Sequence, residues 1–186
     1  MPPLFPWLLA CALFNATLWA QSSAPSDVYA HFVGDWVGTD RYAEAGQLLT
    51  KPLTLHVTEL PKQKGILLEY HFGDGAQVPF EHPVKKTIRL DLAQHQVVIH
   101  FRAFETAYYE AAGLNDFATQ GLGTFAVRTT QLEHGSPVMY RGSYHLSQEE
   151  FSWMWERAEK GQTFTPYGDF QLHRAAPANS RPVTTP

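Results

Sequence analysis

Three observations predict an all-β, antiparallel fold. Apolar and polar residues alternate with period two along most of residues 28–174, the alternating stretches are short, and hairpin-length connections separate them. About eight to ten such stretches in a chain of 186 residues describe one domain, either a sandwich or a barrel. Apolar residues make up 44% of the chain and aromatic residues 13%, enough to build a core and to exclude wholesale disorder.

The elements follow in chain order. Leu53, Leu55 and Val57 alternate with Thr54, His56 and Thr58. Ile66, Leu68, Tyr70 and Phe72 alternate with Leu67, Glu69 and His71, and the turn Gly73-Asp74-Gly75 follows. Residues 87–90 and 97–102 flank a turn-like stretch at 91–95. Phe125, Val127 and Thr129 then alternate with Ala126, Arg128 and Thr130, and Val138, Tyr140, Gly142 and Tyr144 with Met139, Arg141, Ser143 and His145. Phe151, Trp153 and Trp155 alternate with Ser152, Met154 and Glu156, and Phe170 and Leu172 close the series. Residues 104–120 interrupt the rhythm. Ala107, Ala111, Leu114 and Phe117 allow a short helix there, an insertion that reads as a lid or as filler.

The flanks are of another kind. Residues 4–20 are almost all apolar, no charged side chain precedes Asp27, and Pro6, Asn15 and Thr17 break the run. A spanning helix needs about 20 apolar residues, so the run reads as a signal peptide over 1–20, cleaved after Ala20. Residues 21–27 are a polar linker, 28–174 the folded unit, and 175–186 a Pro/Ala/Thr tail with nothing to bury, expected to be disordered. The single cysteine, Cys11, lies inside the leader, so the exported chain has no thiol. Export without disulfides suits a periplasmic or secreted protein and excludes cysteine catalysis and cysteine-ligated metal. After cleavage no membrane span remains.

Charge narrows the partners. With 14 Lys and Arg against 18 Asp and Glu the net charge is −4, which excludes a phosphate-backbone partner, so no nucleic acid is expected. No His-Glu-x-x-His, Gly-x-Ser-x-Gly or Walker motif occurs. Gly121-Leu122-Gly123 superficially matches a dinucleotide loop but leads into β-alternation, without the helix N-terminus that would cradle phosphate. Of the nine histidines, His56, His71, His100, His145 and His173 share a face with Thr58, Glu69, Arg102, Arg128, Arg141 and Glu156. That face reads as the solvated outside of a sheet, so no metal site is expected.

The opposite face carries the candidate site. Tyr70, Phe101, Tyr140, Tyr144, Trp153 and Trp155 lie in phase with the aliphatic residues. They are core, or the wall of an apolar pocket with a few polar handles. Gly142 withholds a side chain from that face, and Arg157 is in phase with Trp153 and Trp155 at a strand end.

Phe32-Val33-Gly34-Asp35-Trp36 at the start of the unit and Leu172-His173-Arg174 at its end resemble the calycin, or lipocalin-like, pattern. The resemblance implies that the Gly-x-Trp of the first strand lays its indole across the closed end of a barrel and that a terminal arginine covers it, structural roles for Gly34, Trp36 and Arg174. Within that group the chain is similar to small bacterial proteins of the DUF1579 type and, more distantly, to nitrobindins. Residues 151–174 are similar to the nitrobindin C-terminal hairpin, which carries a haem-ligating histidine shortly after a Gly-Gln turn. The matching position after Gly161-Gln162 is Tyr167. Tyrosine can ligate haem iron, but with the histidine missing the reading assigns no cofactor.

The expectation is an antiparallel up-and-down barrel, lipocalin-like, that holds a small, mostly apolar molecule against Tyr70, Phe101, Tyr140, Tyr144, Trp153 and Trp155, with Arg157 and Tyr167 orienting a polar head. Two alternatives stand beside it: a filled barrel acting as a cell-envelope adaptor, and a cofactor-free isomerase or hydrolase using the cavity. An enzyme would need His100 and Glu156 inside; a binder would have them outside. Catalytic residues, ligand identity and oligomeric state are left open by the sequence.

Overall fold

The computed structural model describes residues 28–44, 46–73, 84–102 and 105–176. The leader, the linker, Asp74 and Gly75 of the predicted turn, Phe104 of the predicted insertion and residues 177–186 of the tail lie outside them. Ten antiparallel strands form a closed up-and-down barrel, each paired with its neighbours in sequence. They are β1 (Gly34–Glu44), β2 (Gln47–Leu60), β3 (Gly65–Phe72), β4 (Val84–Asp91), β5 (Gln96–Arg102), β6 (Glu105–Ala112), β7 (Gly123–Glu133), β8 (Ser136–Leu146), β9 (Glu150–Glu159) and β10 (Thr165–Arg174). The barrel closes where β1 meets β10, in a register running from Trp36 opposite Arg174 to Tyr42 opposite Gly168.

Period-two alternation becomes inside and outside. Leu53, Leu55 and Val57 are buried while Thr54, His56 and Thr58 are exposed, and the same holds for Phe125 and Val127 against Thr124, Ala126 and Arg128. Four of the five outer-face histidines are exposed, with His145 half-buried. Closure removes the sheet edges that an open sandwich would leave unpaired. Between β7 and β8 the two-residue turn His134-Gly135 has both residues at positive φ, 50° and 81°, the geometry that joins two twisted strands most tightly.

The rhythm-breaking segment is shorter than the sequence reading implied. β6 occupies residues 105–112, and only Leu114–Gln120 is helical (α1). β6 is weakly patterned because its inward residues include Ala107 and Ala111, whose small side chains contrast little with their polar neighbours. α1 lies at the closed end rather than over the mouth. Its buried Phe117 packs against Phe32 and Phe125, with ring centroids 5.8 and 4.8 Å away.

The end next to α1 is solid. Trp36 is fully buried, its indole N–H donates to the Phe32 carbonyl at 2.8 Å, and its ring meets Phe151 edge-on at 5.7 Å. Phe151 in turn meets Phe32 and Phe170. The Arg174 guanidinium lies 4.2 Å from the Trp36 ring and donates to the carbonyls of Gln148, Val33 and His31 at 2.9, 2.9 and 3.0 Å. Gly34 makes that approach possible: its φ is 132°, and a Cβ would stand 2.8 Å from an Arg174 nitrogen.

Candidate ligand cavity

Towards the other end the interior opens into a cavity of about 430 Å³. Seven of the eight residues singled out as ligand contacts line it: Tyr70, Phe101, Tyr140, Tyr144, Trp153, Trp155 and Tyr167. They come from β3, β5, β8, β9 and β10, so register rather than sequence proximity brings them together. Trp153 and Trp155 meet edge-on at 5.7 Å, and Tyr109 of β6 tilts against Trp155 at 5.1 Å. The space that Gly142 leaves is not empty. A Cβ there would stand 2.3 Å from the Met154 carbonyl and 3.0 Å from the Trp155 ring, so glycine lets the backbone and that indole close on β8.

Tyr167 reaches the wall through a β-bulge. The register of β10 on β9 slips between Pro166 and Gly168, leaving Tyr167 as the extra residue, and its ring meets Tyr140 edge-on at 5.4 Å. Arg157 stands beside the wall: it donates to Glu133 at 2.7 Å, and Glu133 also accepts the Tyr140 hydroxyl. These bonds hold the Glu133 carboxyl below the usual range. The Nε of Arg157 is buried with no partner among the described residues.

The sequence reading missed Lys86, Asp40 and the β6–β7 part of the wall. Lys86 is inward on β4, in phase with Ile88 and Leu90, and its ammonium lies 5.0 Å from the Tyr70 ring centroid and 5.2 Å from that of Phe101. Burial pushes its pKa down. Asp40 shares the inward phase of Trp36 on β1, and burial pushes its carboxyl up to about 6 against the pull of Lys86. Burial likewise raises the phenols of Tyr70 and Tyr144 above their ordinary value.

The wall has a seam. β6 and β7 pair only where residues 110–112 face 126–128, in contrast to the eleven pairs between β7 and β8. Beyond that contact Glu105, Thr106, Ala107 and Tyr109 line the cavity from one side and Gln131 and Glu133 from the other. A larger concavity of about 790 Å³ lies on the outer face. It is crossed by the solvated ion pairs Arg128–Glu110 and Arg141–Glu156, and none of the aromatic residues singled out from the sequence lines it.

His100 and Glu156 both face outward, His100 bonded to Thr106 at 2.7 Å and Glu156 to Arg141 at 2.6 Å. Among the described residues no three His, Cys, Asp or Glu side chains converge on a point where a metal could sit.

A closed antiparallel meander with one end sealed by an indole and an arginine is a lipocalin-like β-barrel. Two solved structures that align with it at a TM-score of 0.50 share that fold. Rv2717c from M. tuberculosis aligns with a TM-score of 0.50 at 13% identity, over 82% of this chain and 98% of that one. The S-type phycobiliprotein lyase CPES from Guillardia theta aligns with a TM-score of 0.50 at 8% identity, over 82% and 92%. A protein of unknown function from the DUF3598 family of Nostoc punctiforme reaches 0.47 at 12% identity, over 79% of this chain and 49% of that one. No protein-family profile matches the chain, and no curated protein sequence does.

Proposed function

We propose that this protein is an exported binding protein that holds one small, mostly apolar molecule inside its barrel. The observation that carries the reading is the cavity of about 430 Å³ walled by Tyr70, Phe101, Tyr140, Tyr144, Trp153 and Trp155. Burial of ligand surface there contributes about 25 cal/mol per Å² before the cost of association is subtracted. Aromatic walls add ring-to-ring contacts, and Tyr167 and Arg157, the latter bonded to Glu133, stand at the rim to orient a polar head.

Export rests on the apolar stretch at 4–20; among the described residues no helix is long and apolar enough to cross a membrane. Affiliation with the DUF1579 type belongs to the same proposal and rests on the Gly34, Trp36 and Arg174 arrangement. Haem forms no part of it. No histidine of the described residues lines the cavity, and Tyr167 is turned against Tyr140 with 43% of its surface exposed. A cofactor-free enzyme is the second reading, and it rests on Asp40 and Lys86, whose perturbed protonation inside the barrel is what proton transfer would use.

The test is a titration with the neutral fluorophore N-phenyl-1-naphthylamine, which brightens in apolar surroundings. Wild type is expected to bind it. Ala107→Phe, which places a ring in the cavity, should weaken binding about tenfold or more, since overfilling a packed space is costly. Binding unchanged by Ala107→Phe and by Trp153→Ala would put the dye elsewhere and remove the interior as the site.

A further inference from the structure

We propose that the ligand is an apolar acid whose anionic group is bound by Lys86. The inference rests on the cavity reading above and specifies what the cavity holds. Lys86 is, among the described residues, the basic side chain on the cavity wall. Its neighbour Lys85 points outward and pairs with Glu69, whereas no carboxylate of the described residues pairs with Lys86. Its ammonium is held instead over the faces of Tyr70 and Phe101. Ring faces attract a cation but accept none of its three hydrogen bonds. No side chain or carbonyl of the described residues bonds this ammonium, which is left to the two rings and to solvent, and burial has already weakened its charged form.

The other charged groups of the interior do not meet that need. Glu133 is engaged by Arg157 and Tyr140, and Glu105, the other carboxylate on the wall, is exposed at the start of β6 and makes no ion pair with Lys86. Asp40 is near enough for Lys86 to pull on its titration, yet its own burial outweighs that pull. A ligand carboxylate entering with its apolar part against Trp153 and Tyr144 would give Lys86 a charge-assisted hydrogen bond where water is scarce, which is where such bonds are strong. A neutral molecule of the same shape would leave the ammonium as it is. The geometry therefore discriminates for an acid at one end of an otherwise apolar molecule.

The experiment displaces N-phenyl-1-naphthylamine from the full chain with decanoate and, separately, with decanol, in wild type, Lys86→Met and Lys86→Arg. Decanoate is expected to displace the dye about tenfold more effectively than decanol from wild type, an advantage of the size a charge-assisted bond gives. Lys86→Met should abolish that advantage, with acid and alcohol compared against each variant's own dye affinity, while Lys86→Arg should retain it. Lys86→Gln, polar and uncharged, makes the same comparison where the methionine variant folds poorly. Equal displacement by acid and alcohol from wild type, or an advantage that survives Lys86→Met, would overturn the assignment and leave the cavity reading standing. Absence of dye binding to wild type would overturn both.

Discussion

The two ends of the barrel are built by the same strands to opposite rules. β1 gives Trp36 to the closed end and Asp40 to the open one; β9 gives Phe151 to the first and Trp155 and Arg157 to the second. At the closed end the buried polar groups are matched: the Trp36 indole has a carbonyl, and the Arg174 guanidinium has three carbonyls and a ring face. At the open end Lys86 has rings where it needs acceptors, Asp40 titrates near 6, and the Arg157 Nε is orphaned. Half-buried groups left without protein partners cost stability, and folds keep them where a ligand or a reaction uses them. On the proposed function, the closed end carries the stability and the open end the ligand. The difference makes the two separable by experiment.

The largest effect belongs to Trp36. Trp36→Ala removes a fully buried indole from between Arg174 and Phe151 and should cost about 3–5 kcal/mol in urea unfolding, the range for a large aromatic truncated in a core. Dye affinity of the fraction that remains folded should stay near wild type. A cost below about 1 kcal/mol would mean that the closed end is not where the barrel is held, since exposed sites give changes of that size. Arg174→Ala comes next at about 2 kcal/mol, because three backbone carbonyls lose a charged donor and the ring loses its cation. Arg174→Lys should recover little of it, since one ammonium lacks the planar fork that reaches three carbonyls on two separate segments at once. Full recovery by lysine would reduce the arginine to a point charge.

The contrast between the ends also governs what could be read from sequence. The closed end was legible because its signals are rare ones: Gly34 at a φ that other residues avoid, a tryptophan two residues on, an arginine at the last strand. The aromatic wall was legible because Tyr140, Tyr144, Trp153 and Trp155 keep strict phase with aliphatic residues on strands of high contrast. β6 was not, since Ala107 and Ala111 are its inward residues, and the lower part of β10 was not, since Pro166 and Gly168 flank a bulge that breaks the period. Lys86 and Asp40 were passed over because charge by itself argues for an outward position. Their phase argued otherwise. Lys86 is two residues before Ile88 and four before Leu90, and Asp40 four after Trp36, so counting parity along each strand places both inside.

Asp40 gives the smallest effect and the sharpest one. Its folded-state pKa of about 6 stands above the 3.8 of an ordinary aspartate. Between those values the folded protein binds more protons than the unfolded chain, so stability falls as pH rises through this window, and above pH 6 the half-buried carboxylate is a standing cost. Asp40→Asn should therefore stabilise the protein at pH 7.5, by about 1 kcal/mol once partial solvent access is allowed for, and by nothing measurable near pH 4. The variant should also bind decanoate more tightly than wild type, since the interior then has one anion fewer to share Lys86 with. Asp40→Asn that destabilises at pH 7.5 would show Asp40 and Lys86 to be a stabilising internal pair. The open end would then be as well matched as the closed one, and the case for an incoming acid would lose its vacancy.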